Sequence, residues 1–122
     1  MSDVLLDETI LNTLEQRLGR ERVGRVVAAQ LSHGAELMRE LTALEQVPDR
    51  ARIGRIAHQM AGSSGSIGLT SLGETAADIE MIIGDLPEDG LSDAVRRLTA
   101  LMRASFARLT ELYPEAAPEG TL

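Results

Sequence analysis

Residues 50–68 read RARIGRIAHQMAGSSGSIG, and the spacing of apolar side chains in this stretch decides the fold. Ile53, Ile56, Ala57, Met60 and Ile67 fall at offsets of 0, 3, 4, 7 and 14, a helical stripe that must face other helices. At about 100° per residue, His58 points roughly 160° away from the centre of that stripe. Its neighbours on its own face are Arg55, Gly54 and Ala51 below and Ala61, Gly62 and Gly65 above. Five of these six are glycine or alanine, so the imidazole is expected to stand on a low shelf. Glycine inside a helix costs about 0.5–1 kcal/mol relative to alanine, and this face carries three. Either another helix packs closely over the small residues, or an outside surface must come close to the ring. A histidine buried in the core is disfavoured, because the residue misses the apolar stripe.

The same rhythm extends in both directions. Val4 to Leu18 carries Leu6, Ile10, Leu11, Leu14 and Leu18 at helical spacing and ends at Gly19. Glu21 to Val47 forms a long segment carrying Val23, Val26, Val27, Leu31, Leu37, Leu41 and Leu44, stopped by Pro48. Asp49 is an N-cap for the helix of His58, which runs to about Gly65. After a turn near Gly68 and Thr70, Leu72, Ala76, Ile79, Ile82, Ile83 and Leu86 mark a fourth helix. LPEDGLSD (86–93) reads as a turn in which Pro87 and Gly90 break the helix and Ser92 or Asp93 caps the next. The last helix then runs from about Ser92 to Tyr113, and Met38, Met60, Met81 and Met102 read as core filler. No segment alternates with period two. The pattern predicts an all-α fold, an antiparallel four-helix bundle with an additional short N-terminal helix, as one domain over residues 1–113. The acidic, proline-containing tail PEAAPEGTL, 114–122, is expected to be disordered.

Composition narrows the function. At 122 residues the chain is one domain's length, and its aliphatic core contains two aromatic residues, Phe106 and Tyr113. The absence of cysteine excludes disulfides and thiolate chemistry and fits a cytoplasmic location. The net charge is −7 and every basic residue is an arginine, so neither a basic face nor stacking aromatics supports nucleic-acid binding. No apolar run approaches the roughly 20 residues needed to span a bilayer. The acidic start MSDVLLDETI is unlike a signal peptide, and Met1 and the tail favour a free-standing protein over a piece of a larger kinase. His33, between Ser32 and Gly34, has no second ligand at metal spacing, and paired Glu and Glu-x-x-His ligands are lacking, so no metal site is expected.

The stretch AHQMAGSSGSIGLTSLGETAADIE, 57–80, resembles the signature of histidine-containing phosphotransfer (HPt) domains. Ala57, His58, Met60, Gly62, Ser63, Ser64 and Gly68 match that pattern in register, and the helix layout agrees over nearly the whole chain. The resemblance implies a monomeric phosphorelay carrier in two-component signal transduction. His58 would accept a phosphoryl group from an aspartate on one response-regulator receiver domain, or on a hybrid histidine kinase, and pass it to another receiver. Such a domain has no kinase activity, binds no nucleotide and needs no cofactor of its own; the magnesium ion sits on the partner receiver. Ala51, Gly54, Ala61, Gly62 and Gly65 then become the partner-binding shelf.

The resemblance also implies a second residue. HPt domains place a Gln or Glu 22 residues after the histidine to accept a hydrogen bond from Nδ1, and Glu80 holds that position here. Its carboxylate would fix the tautomer and leave Nε2 as the nucleophile. One feature departs from the family: the lysine common three residues after the histidine is Ala61. Arg55, one turn earlier, is the candidate substitute as a phosphate contact, against the plainer reading of a solvated arginine. The missing lysine also supports an alternative function, a helical adaptor that docks on a receiver or histidine kinase and regulates it without carrying phosphate.

Overall fold

The computed structural model describes residues 4–117, and its five helices are α1 (Glu8–Leu18), α2 (Arg20–Gln46), α3 (Arg50–Ser64), α4 (Thr70–Ile82) and α5 (Glu88–Leu112). Among the described residues there is no strand. Paired positions give the directions. Gln30 meets Ser63 and Glu40 meets Arg52, so α2 and α3 run antiparallel. His58 meets Glu80 and Arg50 meets Ile83, so α3 and α4 do too. Gly34 lies on Phe106 while Ser92 reaches Glu45, which sets α5 antiparallel to α2 and closes the four-helix bundle. Leu41, Ile53, Ile56, Met60, Leu72, Ile79, Leu98, Met102 and Leu109 fill its centre. The four methionines read as core filler diverge: Met60 and Met102 are buried and Met38 packs against the core, whereas Met81 is exposed.

The chain shows why each helix begins and ends where it does. Asp7 and Asp49 cap α1 and α3, accepting from the backbone N–H of Thr9 and Arg52. The Arg50 guanidinium donates to the carbonyls of Ile83 and Leu86, occupying acceptors left over where α4 unwinds. α1 begins at Glu8 rather than near Val4, because residues 4–7 form an extended strap across the α3–α4 turn. The Asp7 N–H donates to the Gly68 carbonyl at 2.7 Å, and the Ser71 N–H to that of Val4 at 3.0 Å. Gly68 is required twice over. Its φ is +89°, and a Cβ there would lie 2.6 Å from the Asp7 carbonyl oxygen.

Three expectations change. α5 starts at Glu88, not Ser92: Pro87 supplies a φ of −68° at the helix entrance, and Glu88 and Asp89 complement the N-terminal dipole. Gly90 is carried inside the helix, and Ser92 donates weakly to Glu45 instead of capping. The ordered chain also passes residue 113, where disorder was expected to begin. Pro114–Ala116 forms a 3-10 turn whose Ala116 is buried against α2, with Glu115 paired to Arg20 at 3.0 Å. Residues 118–122 lie outside the described residues. Finally, Ile82 was read on the apolar stripe of its helix but is exposed, as is Val26 on α2.

Candidate functional site

Burial along α3 follows the predicted stripe: Ile53, Ile56, Ala57 and Met60 are each fully buried. His58, on the opposite side, has 72% of its side chain exposed. Arg55, one turn earlier, shares the exposed side of α3 with it. The imidazole Nδ1 stands 2.6 Å from Oε2 of Glu80 on α4. An ionised carboxylate only accepts, so Nδ1 carries a proton and donates it, which in a neutral ring leaves the lone pair on Nε2. The two residues expected to meet therefore do meet. A short antiparallel connection, built on Gly68, places α4 beside α3 with the register that makes this contact possible.

The shelf divides. Gly62 and Gly65 are exposed, and a Cβ on either would meet nothing within 4 Å. Ala51 is exposed as well. Gly54 and Ala61 are half-buried on the α4 side, where a Cβ on Gly54 would touch Ile83 at 3.4 Å and Ala61 packs against the core. The small residues therefore divide: Gly54 lies against Ile83 just past the end of α4 and Ala61 packs on the core, while Ala51, Gly62 and Gly65 leave open surface.

The α2 flank of the site was not legible beforehand. Gln30 donates to Ser63 at 3.1 Å, and His33 Nε2 pairs with Gln59 at 3.2 Å. Glu40 Oε1 accepts from Arg52 Nε and Nη2 at 3.1 and 2.8 Å and from Arg55 Nη2 at 3.2 Å. Arg55 thus rests on Glu40 rather than on His58. On the α4 flank Met81, next to Glu80 in sequence, is 80% exposed. It lies about half a turn from α4's buried residues Leu72, Ala76 and Ile79, which is why reading it as core filler fails. An i, i+4 count would have found Met81; the α2 partners need the register between helices, which one sequence does not supply.

Among the described residues no group of three or more His, Cys, Asp or Glu side chains could hold a metal ion, and no helix is long and apolar enough to cross a membrane. Comparison with curated proteins and with solved structures found no match. The Hpt domain family matches residues 8–112, which spans all five helices, the imidazole and its carboxylate partner. The chain belongs to the Hpt domain family, whose role is histidine phosphotransfer in two-component signalling.

Proposed function

We propose that this protein is a phosphorelay carrier that shuttles a phosphoryl group between receiver domains through His58. The reading rests on one observation above all: a largely exposed imidazole whose Nδ1 is hydrogen-bonded to Glu80. Nε2 attacks the phosphorus of an aspartyl phosphate on the donor receiver. An N–P bond forms as the P–O bond breaks, and the aspartate carboxylate leaves with the bonding electrons. The ring then carries positive charge with its proton still on Nδ1, and the Glu80 carboxylate balances that charge. Passage to the second receiver reverses the same steps. Phosphoryl transfer runs through a loose transition state, so accessibility and orientation matter more than a strong nucleophile. The magnesium ion this chemistry uses is expected on the receiver, and this chain needs no cofactor of its own.

Ala51, Gly62 and Gly65 let the partner's surface approach, with Gly54 and Ala61 shaping the inner edge of the shelf. A carrier must release one receiver before meeting the next, so the interface is expected to be modest and the protein a cytoplasmic monomer. Arg55 is proposed as a phosphate contact in place of the lysine absent at position 61. The test is incubation with a phosphorylated receiver domain. Acid-labile phosphate on the wild type and none on His58→Ala is the expected result. Receiver binding without any phosphate on the protein would overturn it in favour of the adaptor reading, which Ala61 alone supports.

A further inference from the structure

Two guanidinium groups share one carboxylate oxygen beside the site. Oε1 of Glu40 takes two N–H bonds from Arg52, at 3.1 and 2.8 Å, and a single, longer one of 3.2 Å from Arg55. The three side chains carry a surplus of one positive charge, and the arginine with the single, longer bond is the one a helical turn before His58. Glu40 is largely covered, whereas Arg55 is more than half exposed. The remaining arginine of α3, Arg50, is committed to the Ile83 and Leu86 carbonyls. Arg55 and His58 are i, i+3 neighbours on the exposed side of α3, with Cβ atoms about 5–6 Å apart, so an Arg55 released from Glu40 can reach a group on Nε2.

We infer that Glu40 is a positioning residue that holds Arg55 in reserve for the phosphoryl group of His58. This rests on the phosphotransfer reading above. While His58 is bare, Glu40 keeps Arg55 folded toward α2 and clear of the imidazole. When His58 is charged, Arg55 moves to the phosphoryl oxygens, where it can present two parallel donors to a dianion. Glu40 is not orphaned by the move, since Arg52 keeps its oxygen occupied. Arg52 thereby sets how easily Arg55 leaves: the more firmly it holds Glu40, the lower the barrier to handover. No covalent change is involved, and the cation passes from one anion to another.

The arrangement makes opposite predictions for the two residues that flank Arg55. With His58 charged by phosphoramidate, which needs no receiver, Glu40→Gln frees Arg55 and lengthens the phosphohistidine half-life roughly two- to fivefold, the scale of an exposed ion pair. Arg52→Ala leaves Glu40 to Arg55 alone and shortens the half-life, and Arg55→Ala shortens it further. Both flanking effects vanish in an Arg55→Ala background, and in wild type the Nε–Hε NMR signal of Arg55 shifts on charging. Half-lives that respond to Glu40→Gln equally with and without Arg55, or an Arg55 signal that does not move, would overturn the inference while leaving the carrier function intact. A wild type that takes no acid-labile phosphate would overturn both.

Discussion

At the scale of the residue, the proposed function comes down to which nitrogen of one ring is free. An imidazole in water exchanges its proton between Nδ1 and Nε2, and a carboxylate 2.6 Å from Nδ1 biases that exchange toward the Nδ1–H form. Both partners are substantially exposed, so solvent weakens the bond and its contribution is about 1 kcal/mol. Replacing Glu80 with Ala is therefore expected to slow charging of His58 by phosphoramidate about fivefold, without a matching loss of thermal stability. Glu80→Gln should recover much of the rate, because the amide oxygen accepts the same N–H. Equal rates for wild type and Glu80→Ala would show that the tautomer is not set by this contact. His33 makes a useful control, being exposed and paired through Nε2 with Gln59. His33→Ala is expected to leave charging unchanged.

At the scale of the element, glycines that look alike in sequence do opposite things. On α2, a Cβ at Gly34 would lie 2.4 Å from the Phe106 ring, so the absence of a side chain sets how closely α5 approaches. Gly34→Ala is expected to destabilise the bundle by about 1–3 kcal/mol in denaturant unfolding, despite alanine's better helix propensity. Gly62 meets nothing. Gly62→Ala should stabilise α3 by about 0.5–1 kcal/mol and still slow transfer from a receiver, leaving charging by phosphoramidate intact. A variant that is both more stable and equally fast with the receiver would remove Gly62 from the docking surface. The contrast also shows what one chain reveals. The stripe of Ile53, Ile56, Ala57 and Met60 was legible because side-chain period is local, and so the exposure of His58 followed. The start of α5 was misplaced because proline and glycine break helices in their interior but are tolerated at an entrance. Glu40 and Arg52 stayed hidden because their meeting depends on how α2 slides past α3, a property of the packed core rather than of either helix.

At the scale of the molecule, the end of the bundle away from the α2–α3 loop is tied by a cluster around Tyr113. The ring is buried, its hydroxyl donates to Glu15, and the Arg20 guanidinium lies 4.4 Å above it. Arg20 also donates to the Leu112 carbonyl at 2.6 Å and pairs with Glu115, joining α1, α2 and the C-terminal turn. Burial, and then the bond to Glu15, push the Tyr113 hydroxyl up to about 12 from the usual 10.0. The folded state thus holds this proton more tightly than the unfolded one, a contribution fully present below pH 10 and lost as pH rises toward 12. Stability in urea is expected to fall across that window by about 2–3 kcal/mol from this group, and Tyr113→Phe should flatten the fall. An unchanged slope in Tyr113→Phe would place the alkaline sensitivity elsewhere.

The most direct test of the whole assignment is a long-range ¹H–¹⁵N correlation spectrum of the phosphorylated protein. It should show phosphorus bonded to Nε2 of His58, with Nδ1 still protonated. Phosphorus on Nδ1, or on His33, would contradict the geometry from which the function has been read.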